Sequence, residues 1–284
     1  MNGKICVVTG ANSGIGKETA LGLAHMGAHV VMVCRNAQKG KAALEEIRRE
    51  SGSSQVDLLT ADLSSQASVR ALAEQIQGKY RRLDVLVNNA GGAAPAVTLS
   101  ADGIELTLAT NYLGPALLTL LLLDLLKASA PSRIVSVSSA EQRRARLDMN
   151  DLQFERRKYR GYLAYGQSKL LMNTFTFELA RRLAGTAVTA NCLHPGVVAT
   201  SFWSANPPPL IGKLILAVVR PFMLTSKQGA AVPLYLAASP EMAHVSGEYF
   251  VKFKPAKSNP LSRDPKLMAE VWLCTERMTG LPSA

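Results

Sequence analysis

Lys4-Ile-Cys-Val-Val-Thr-Gly-Ala-Asn-Ser-Gly-Ile-Gly16 is the stretch that decides the fold of this chain. Lys4 to Thr9 is a short apolar, β-branched run and reads as a buried strand. Glycines 10, 14 and 16 follow at once, and Lys17 to Met26 then repeats apolar residues at helical spacing. Strand, glycine loop and helix in that order form the context a dinucleotide site needs. Glycine lets the backbone turn tightly and lets a pyrophosphate approach. The helix N-terminus offers free N–H groups and the positive end of a dipole to the phosphates. The spacing is G-x-x-x-G-x-G rather than the commoner G-x-G-x-x-G. A tight turn with no ligand is the alternative, and the residues further along argue against it.

Outward from this unit, strand and helix signals alternate. A second strand, Ala28 to Cys34, ends at Arg35-Asn36. Asp or Glu near this point would hold a ribose 2′-hydroxyl, whereas an Arg accommodates a 2′-phosphate. Positions 33 to 36 hold no carboxylate, and a guanidinium matches phosphate in a bidentate way. Arg35 therefore predicts NADP(H) over NAD(H). Further strands are predicted over 55–60, 84–87, 133–137, 188–193 and 247–251. Helices are predicted over 37–50, 65–79, 102–128 with a kink at Pro115, from Tyr165 to about 183, and over 226–237. The fold class is α/β: one Rossmann domain over residues 1–284, a doubly wound parallel sheet of about seven strands with helices on both faces. Gly10, Arg35, Asp62, Asn88, Ser138, Ser139 and His194 stand at or just after strand carboxyl ends, where open parallel sheets bind ligands.

Composition limits the function classes. The 284 residues carry 19% charged residues and no long low-complexity segment, so disorder is not the expectation. Four scattered cysteines without a C-x-x-C pair fit a reduced, cytoplasmic protein, and four histidines offer no metal-ligand spacing, so no metal is expected. No signal peptide precedes the first strand. Leu117 to Leu126 is too short to span a bilayer, which needs ~20 residues. The net charge is +11, with basic clusters at 143–146 and 156–160. No nucleic-acid motif accompanies the charge, so nucleic acid is not an expected partner.

The second decisive stretch is Ala164-Tyr-Gly-Gln-Ser-Lys-Leu170. Tyr165 and Lys169 are four apart, on one face of a helix. A phenol titrates near ~10, and an adjacent ammonium favours the phenolate, giving a proton donor and acceptor usable near neutrality.

Taken with Thr9-Gly-x-x-x-Gly-x-Gly16, Asn88-Asn-Ala-Gly91, Ser139 and Pro195-Gly196, in that order, this pair makes the chain resemble the short-chain dehydrogenase/reductase family over roughly residues 4 to 253. Within it the chain is most similar to the retinol dehydrogenase and WW-domain oxidoreductase branch, through Thr110-Asn-Tyr-Leu-Gly114, the Tyr165 stretch and Leu193-His-Pro-Gly-Val-Val198. Tyr112 stands where that branch often has His, and Pro115 where an aromatic is common.

The resemblance implies roles. Tyr165 is the general acid/base, and Lys169 lowers its pKa and holds the nicotinamide ribose. Ser139 hydrogen-bonds the substrate oxygen, with Ser138 the poorer fit by position. Asn111 supports a proton-relaying water chain. Asp62 meets the adenine, Asn89 braces the cleft and Thr200 touches the nicotinamide carboxamide. The expected NADP(H) set is completed by Gly10, Asn12, Ser13, Gly14, Ile15, Gly16, Arg35, Asn36, Leu63, Ala90, Gly91, Pro195, Gly196 and Val198. The implied reaction is hydride transfer between NADP(H) and an alcohol or carbonyl of a small substrate. Alternatives are a non-catalytic NADP(H) sensor and a carbon–carbon double-bond reductase of the same fold. A homodimer or homotetramer is the usual assembly.

A substrate lid is expected around 200–225. Phe202, Trp203, Pro207 to Pro209, Leu210, Ile211, Leu214, Ile215 and Leu216 make it apolar, which predicts an apolar substrate. Lys213 and Arg220 interrupt the run to Leu224, a pattern that can also lie in a membrane interface without spanning it.

Overall fold

The described residues form one eight-stranded sheet in the order β3-β2-β1-β4-β5-β6-β7-β8. Its strands are β1 (Ile5–Thr9), β2 (His29–Cys34), β3 (Val56–Thr60), β4 (Val85–Asn88), β5 (Ser132–Val137), β6 (Val188–His194), β7 (Tyr249–Val251) and β8 (Lys254–Pro255). All neighbours are parallel except β7 and β8. The computed structural model describes residues 1–198 and 223–281. The sequence predicts about seven strands, and the eighth is a two-residue edge piece.

Both faces of the sheet are covered, as near-continuous apolar strands require. Along β1, Cys6 and Val8 face one core and Val7 the other, the period of two made visible. One face packs against α1 (Gly14–His25), α2 (Ala37–Ser51) and α8 (Ser226–Ala238), through Ala20, Leu23, Ile47, Val232 and Leu236. The other packs against α3 (Gln66–Lys79), α5 (Gly114–Leu121), α7 (Gly161–Arg182) and α9 (Pro265–Thr279), through Leu72, Leu117, Phe175 and Trp272.

Two expectations are corrected. The predicted 102–128 helix starts only at α4 (Leu106–Leu108), passes through a π-helical turn over Ala109–Leu113 into α5, and breaks again before α6 (Leu123–Ala128). Pro115 is the second residue of α5, directly after the π turn, with helical backbone on both sides. The irregularity sits just before it, and π turns of this kind cluster at functional sites. The second correction is α9, which no reading of the sequence placed. It caps the apolar wall of α5 and α7: Trp272 stacks on Phe175 at 5.5 Å between ring centroids, and the Tyr112 hydroxyl bonds Thr275 Oγ1.

Candidate active site

The glycine loop is held by the residues that announce it. Gly10 and Gly14 adopt φ of 67° and 57°, the left-handed region that glycine enters without penalty. Gly16 is fixed by proximity: a Cβ there would lie 2.3 Å from the Gly10 carbonyl oxygen and 2.3 Å from Asn89 Nδ2. That amide donates to the Thr9 carbonyl at 2.8 Å, while the backbone N–H groups of Asn89 and Ala90 both donate to Thr9 Oγ1 at 3.0 Å. The expected brace is therefore reciprocal, and Thr9, unassigned from sequence, is its hub. Asn12 and Ile15 are half-buried within the loop. Ser13 is the N-cap residue of α1, yet its side chain makes no capping bond and the first turn holds no acid. Those N–H groups and that geometry fit a dinucleotide pyrophosphate.

At the far end of this cleft Arg35 is 70% exposed, with Nη1 3.8 Å from Asp62 Oδ2. A guanidinium so free in solvent is available to an anion. Asp62 also accepts from Ser64 N and Ser64 Oγ, so the carboxylate is oriented by its own turn beside Leu63. Asn36 is used structurally: its side chain accepts from Lys39 N and caps α2.

The four expected catalytic side chains converge. Tyr165 hydrogen-bonds Ser139. Ser138, in contrast, is buried with its hydroxyl 3.4 Å from the Lys169 carbonyl, so Ser139 is the serine at the phenol. Lys169 stands one turn along, its Nζ 5.6 Å from the Tyr165 ring centroid. Asn111, in the π turn, is clamped on Gly92 by both amide atoms, accepting from Gly92 N at 2.8 Å and donating to Gly92 O at 2.7 Å. It also donates to Ser168 Oγ at 3.0 Å. A Cβ at Gly91 would lie 3.1 Å from Asn111 Oδ1 and 3.2 Å from Lys169 Nζ, so a side chain there would intrude between the two.

The electrostatics differ from the expectation. Burial pushes the Tyr165 phenol up to about 12, against the downward pull of the Ser139 hydrogen bond and with a further upward push from Glu141. The Lys169 ammonium donates to the Val137 carbonyl at 2.8 Å, and burial draws its pKa down to about 8. The net shift of Tyr165 is upward, opposite to the lowering read from the spacing of Tyr165 and Lys169. Proximity on a helix face sets only how far apart two groups can be, and the environment decides the sign.

Pro195 and Gly196, φ 93°, follow β6, and Val198 bridges to Leu224 with Leu224 N donating to Val197 O. The chain thus leaves and rejoins the cleft edge at one point. Thr200 and the apolar residues 202–216 lie outside the described residues. His194 is half-buried with its Nδ1 unpaired, and burial lowers its pKa.

Beyond Ser139 a cavity of about 550 Å³ is lined, among the described residues, by Ala140, Glu141, Arg143 and Arg144. This described part of its wall carries one acidic and two basic side chains. The basic segment after it is tied down by Asp151, whose carboxylate accepts Arg157 Nε at 2.8 Å and Glu155 N at 2.8 Å.

Residues 4–209 match the family described as short chain dehydrogenase. Human retinol dehydrogenase 13 is 41% identical over 287 residues, covering 98% of this chain and 85% of that protein. A solved structure of an uncharacterised Mycobacterium paratuberculosis protein aligns with a TM-score of 0.79 at 32% identity, over 99% of this chain and 96% of its own. A Shigella flexneri short chain dehydrogenase complexed with NADP aligns with a TM-score of 0.69 at 26% identity, over 88% and 97%.

Proposed function

The chain belongs to the short-chain dehydrogenase/reductase family, and from that premise we propose that it is an NADP(H)-dependent oxidoreductase that interconverts an alcohol and a carbonyl on an apolar substrate. The observation that carries this reading is the hydrogen-bonded pair Ser139 and Tyr165, with Lys169 one turn away and Asn111 beside it.

NADP(H), when bound, supplies or accepts the hydride. Gly10 to Gly16 and the α1 N-terminus would hold its pyrophosphate, and Arg35 the 2′-phosphate. Reduction builds negative charge on the substrate oxygen. Ser139 Oγ and the Tyr165 hydroxyl are two donors for that oxygen. Tyr165, protonated at neutral pH in this environment, gives its proton to it. Lys169 and Asn111 then lie where a proton can be returned to the phenol. The solved relative complexed with NADP and the retinol dehydrogenase named among the relatives support the cofactor and the apolar alcohol.

The test is loss of NADPH absorbance with a chain-length series of aldehydes. The expected result is kcat/KM rising with length, by up to ~0.8 kcal/mol per buried CH₂. A protein that binds NADPH but consumes none with any carbonyl would overturn the reading.

Two features bear on partners. No described helix is long and apolar enough to cross a membrane. Tyr162 and Leu163, 59% and 43% exposed at the start of α7, adjoin the exposed Arg156, Lys158 and Arg160, which favours a peripheral contact with anionic lipid at the cleft. Flotation with anionic liposomes at low salt tests it, and recovery of all protein in the soluble fraction would end it.

A further inference from the structure

Ser139 stands at the head of a single 3₁₀ turn, Ala140–Arg144, and is its N-cap residue. Such turns have poor internal hydrogen bonds and leave their last carbonyls unpaired. Something else must fix this one, because the direction of the Ser139 hydroxyl depends on it. The outer residues Glu141, Arg143 and Arg144 are exposed, while Gln142 is fully buried on the inner side.

The fixing contacts come from more than a hundred residues away. Asn259, 6% exposed, donates its backbone N–H to Gln142 Oε1 at 2.9 Å. Its side-chain Nδ2 donates to the carbonyls of Gln142 at 3.0 Å, Ala145 at 2.9 Å and Arg143 at 3.4 Å. One amide thereby serves the carbonyls at the end of the turn, where the turn itself supplies only the bond from Ala145 N to the Gln142 carbonyl at 3.3 Å. Its Oδ1 accepts from Leu261 N at 3.0 Å, which anchors the amide in the segment leading into α9. At the other end of the turn Tyr249, fully buried on β7, donates its hydroxyl to the Ser139 carbonyl at 3.4 Å.

We propose that Asn259 and Tyr249 are positioning residues for Ser139, so that the C-terminal segment, outside residues 4–209 matched by the family, sets the hydrogen bond between Ser139 and Tyr165. Neither touches the reacting atoms; both act through the turn. The proposal rests on the reading of Ser139 and Tyr165 as the oxygen-binding pair. A donor displaced by a fraction of an ångström from its acceptor loses catalytic effect steeply.

The experiment uses the full chain with Asn259→Ala, Asn259→Asp and Tyr249→Phe. Asn259→Asp keeps the oxygen that accepts from Leu261 N and removes the donors, so it separates loss of donation from loss of bulk. For each, kcat, KM and NADPH Kd are measured, and crystal structures of wild type and variant report the Ser139 Oγ to Tyr165 hydroxyl distance. Both Asn259 variants are expected to lower kcat by roughly tenfold, part of the ~10²–10⁴ that positioned proton transfer contributes. NADPH Kd is expected to stay within about twofold, with the Ser139–Tyr165 bond broken or lengthened beyond hydrogen-bond reach. Tyr249→Phe should show the same pattern more weakly, and it carries the test alone if the Asn259 variants do not fold. Lower thermal stability with kcat unchanged and the bond intact would overturn the proposal. Should the wild type turn over no carbonyl, the reading of function fails separately, and the crystallographic distance still decides this one.

Discussion

Two loops frame the cleft, and they are held in different ways. The loop after β1 is pinned by Thr9 and Asn89, residues of the motifs that reveal it, reaching across the adjacent strands β1 and β4. The turn after β5 is pinned by Asn259 and Tyr249, which belong to no motif and come from the far end of the chain. The first loop has glycine where a Cβ would strike backbone. The second has ordinary residues whose places are set by amide hydrogen bonds. A loop that must admit a phosphate is constrained by sterics, and sterics leave a mark on sequence. A turn that must aim one hydroxyl is constrained by contacts that many residue types could supply.

The comparison predicts opposite kinetic signatures for the two loops. The largest effect belongs to Tyr165→Phe, which removes the proton donor and leaves the glycine loop intact. It should lower kcat by ~10²–10⁴ while NADPH Kd stays within a few-fold. A residual rate above about a tenth of wild type, a loss below ~1.4 kcal/mol, would remove Tyr165 from the acid/base role. The reverse pattern is expected of Gly16→Ala. Its Cβ would lie 2.3 Å from the Gly10 carbonyl, and overpacking of this kind costs ~1–3 kcal/mol. NADPH Kd should rise more than about tenfold, with kcat at saturating NADPH changed by only a few-fold. Equal damage to kcat would mean the two loops are not separable.

Arg35→Ala sharpens the picture at the outer end of the first loop. Loss of a charge-assisted contact costs ~1.5–3 kcal/mol, so the preference for NADPH over NADH in kcat/KM should narrow by roughly ten- to a hundredfold. Equal kcat/KM for both cofactors in the wild type would refute the assignment. The alanine variant must bind NADH nearly as well as wild type does.

The smallest effect is a control on the edge strand β3. Asp57 accepts from Tyr80 at 2.6 Å, from Lys79 at 2.9 Å and from His29 at 2.8 Å. Burial alone would raise its pKa, but these three partners outweigh burial and hold it well below the usual carboxylate range. A depressed carboxylate pKa contributes stability above the unfolded value near ~3.9, and that contribution is lost as pH falls through the folded one. With the cluster part-exposed, about 1 kcal/mol is expected. Asp57→Asn should therefore lower Tm at pH 7 and reduce the loss of stability between pH ~4 and the folded pKa, with kcat unchanged. A pH profile of Tm identical to wild type would show that the cluster contributes nothing.

How far the site was legible depended on the kind of constraint at each residue. Gly10, Gly16, Asn89, Ser139, Tyr165, Lys169 and Asn111 were named from sequence, and the structure brings them to one end of the sheet. The pKa order within the pair was not legible, because burial acts on groups whose separation alone the sequence reports. The π turn at Ala109–Leu113 was missed because nothing in the run Ala-Thr-Asn-Tyr-Leu marks one extra residue in a turn. Helix α9 was missed although Asp264, Pro265 and Gly280 mark its ends locally; only its packing on Phe175 and Tyr112 depends on elements distant in sequence.

The sequence by itself determined the strand alternation, the glycine loop, the motif order and hence the family. Each of these rests on local periodicity or on a residue type that backbone geometry demands. Only the tertiary structure decided which serine meets Tyr165, that Thr9 is the hub of the loop brace, and that Asn259 and Tyr249 stand behind Ser139. Those depend on which atoms of a distant segment arrive within hydrogen-bond reach. That reach is a few ångströms in space and has no counterpart in residue order.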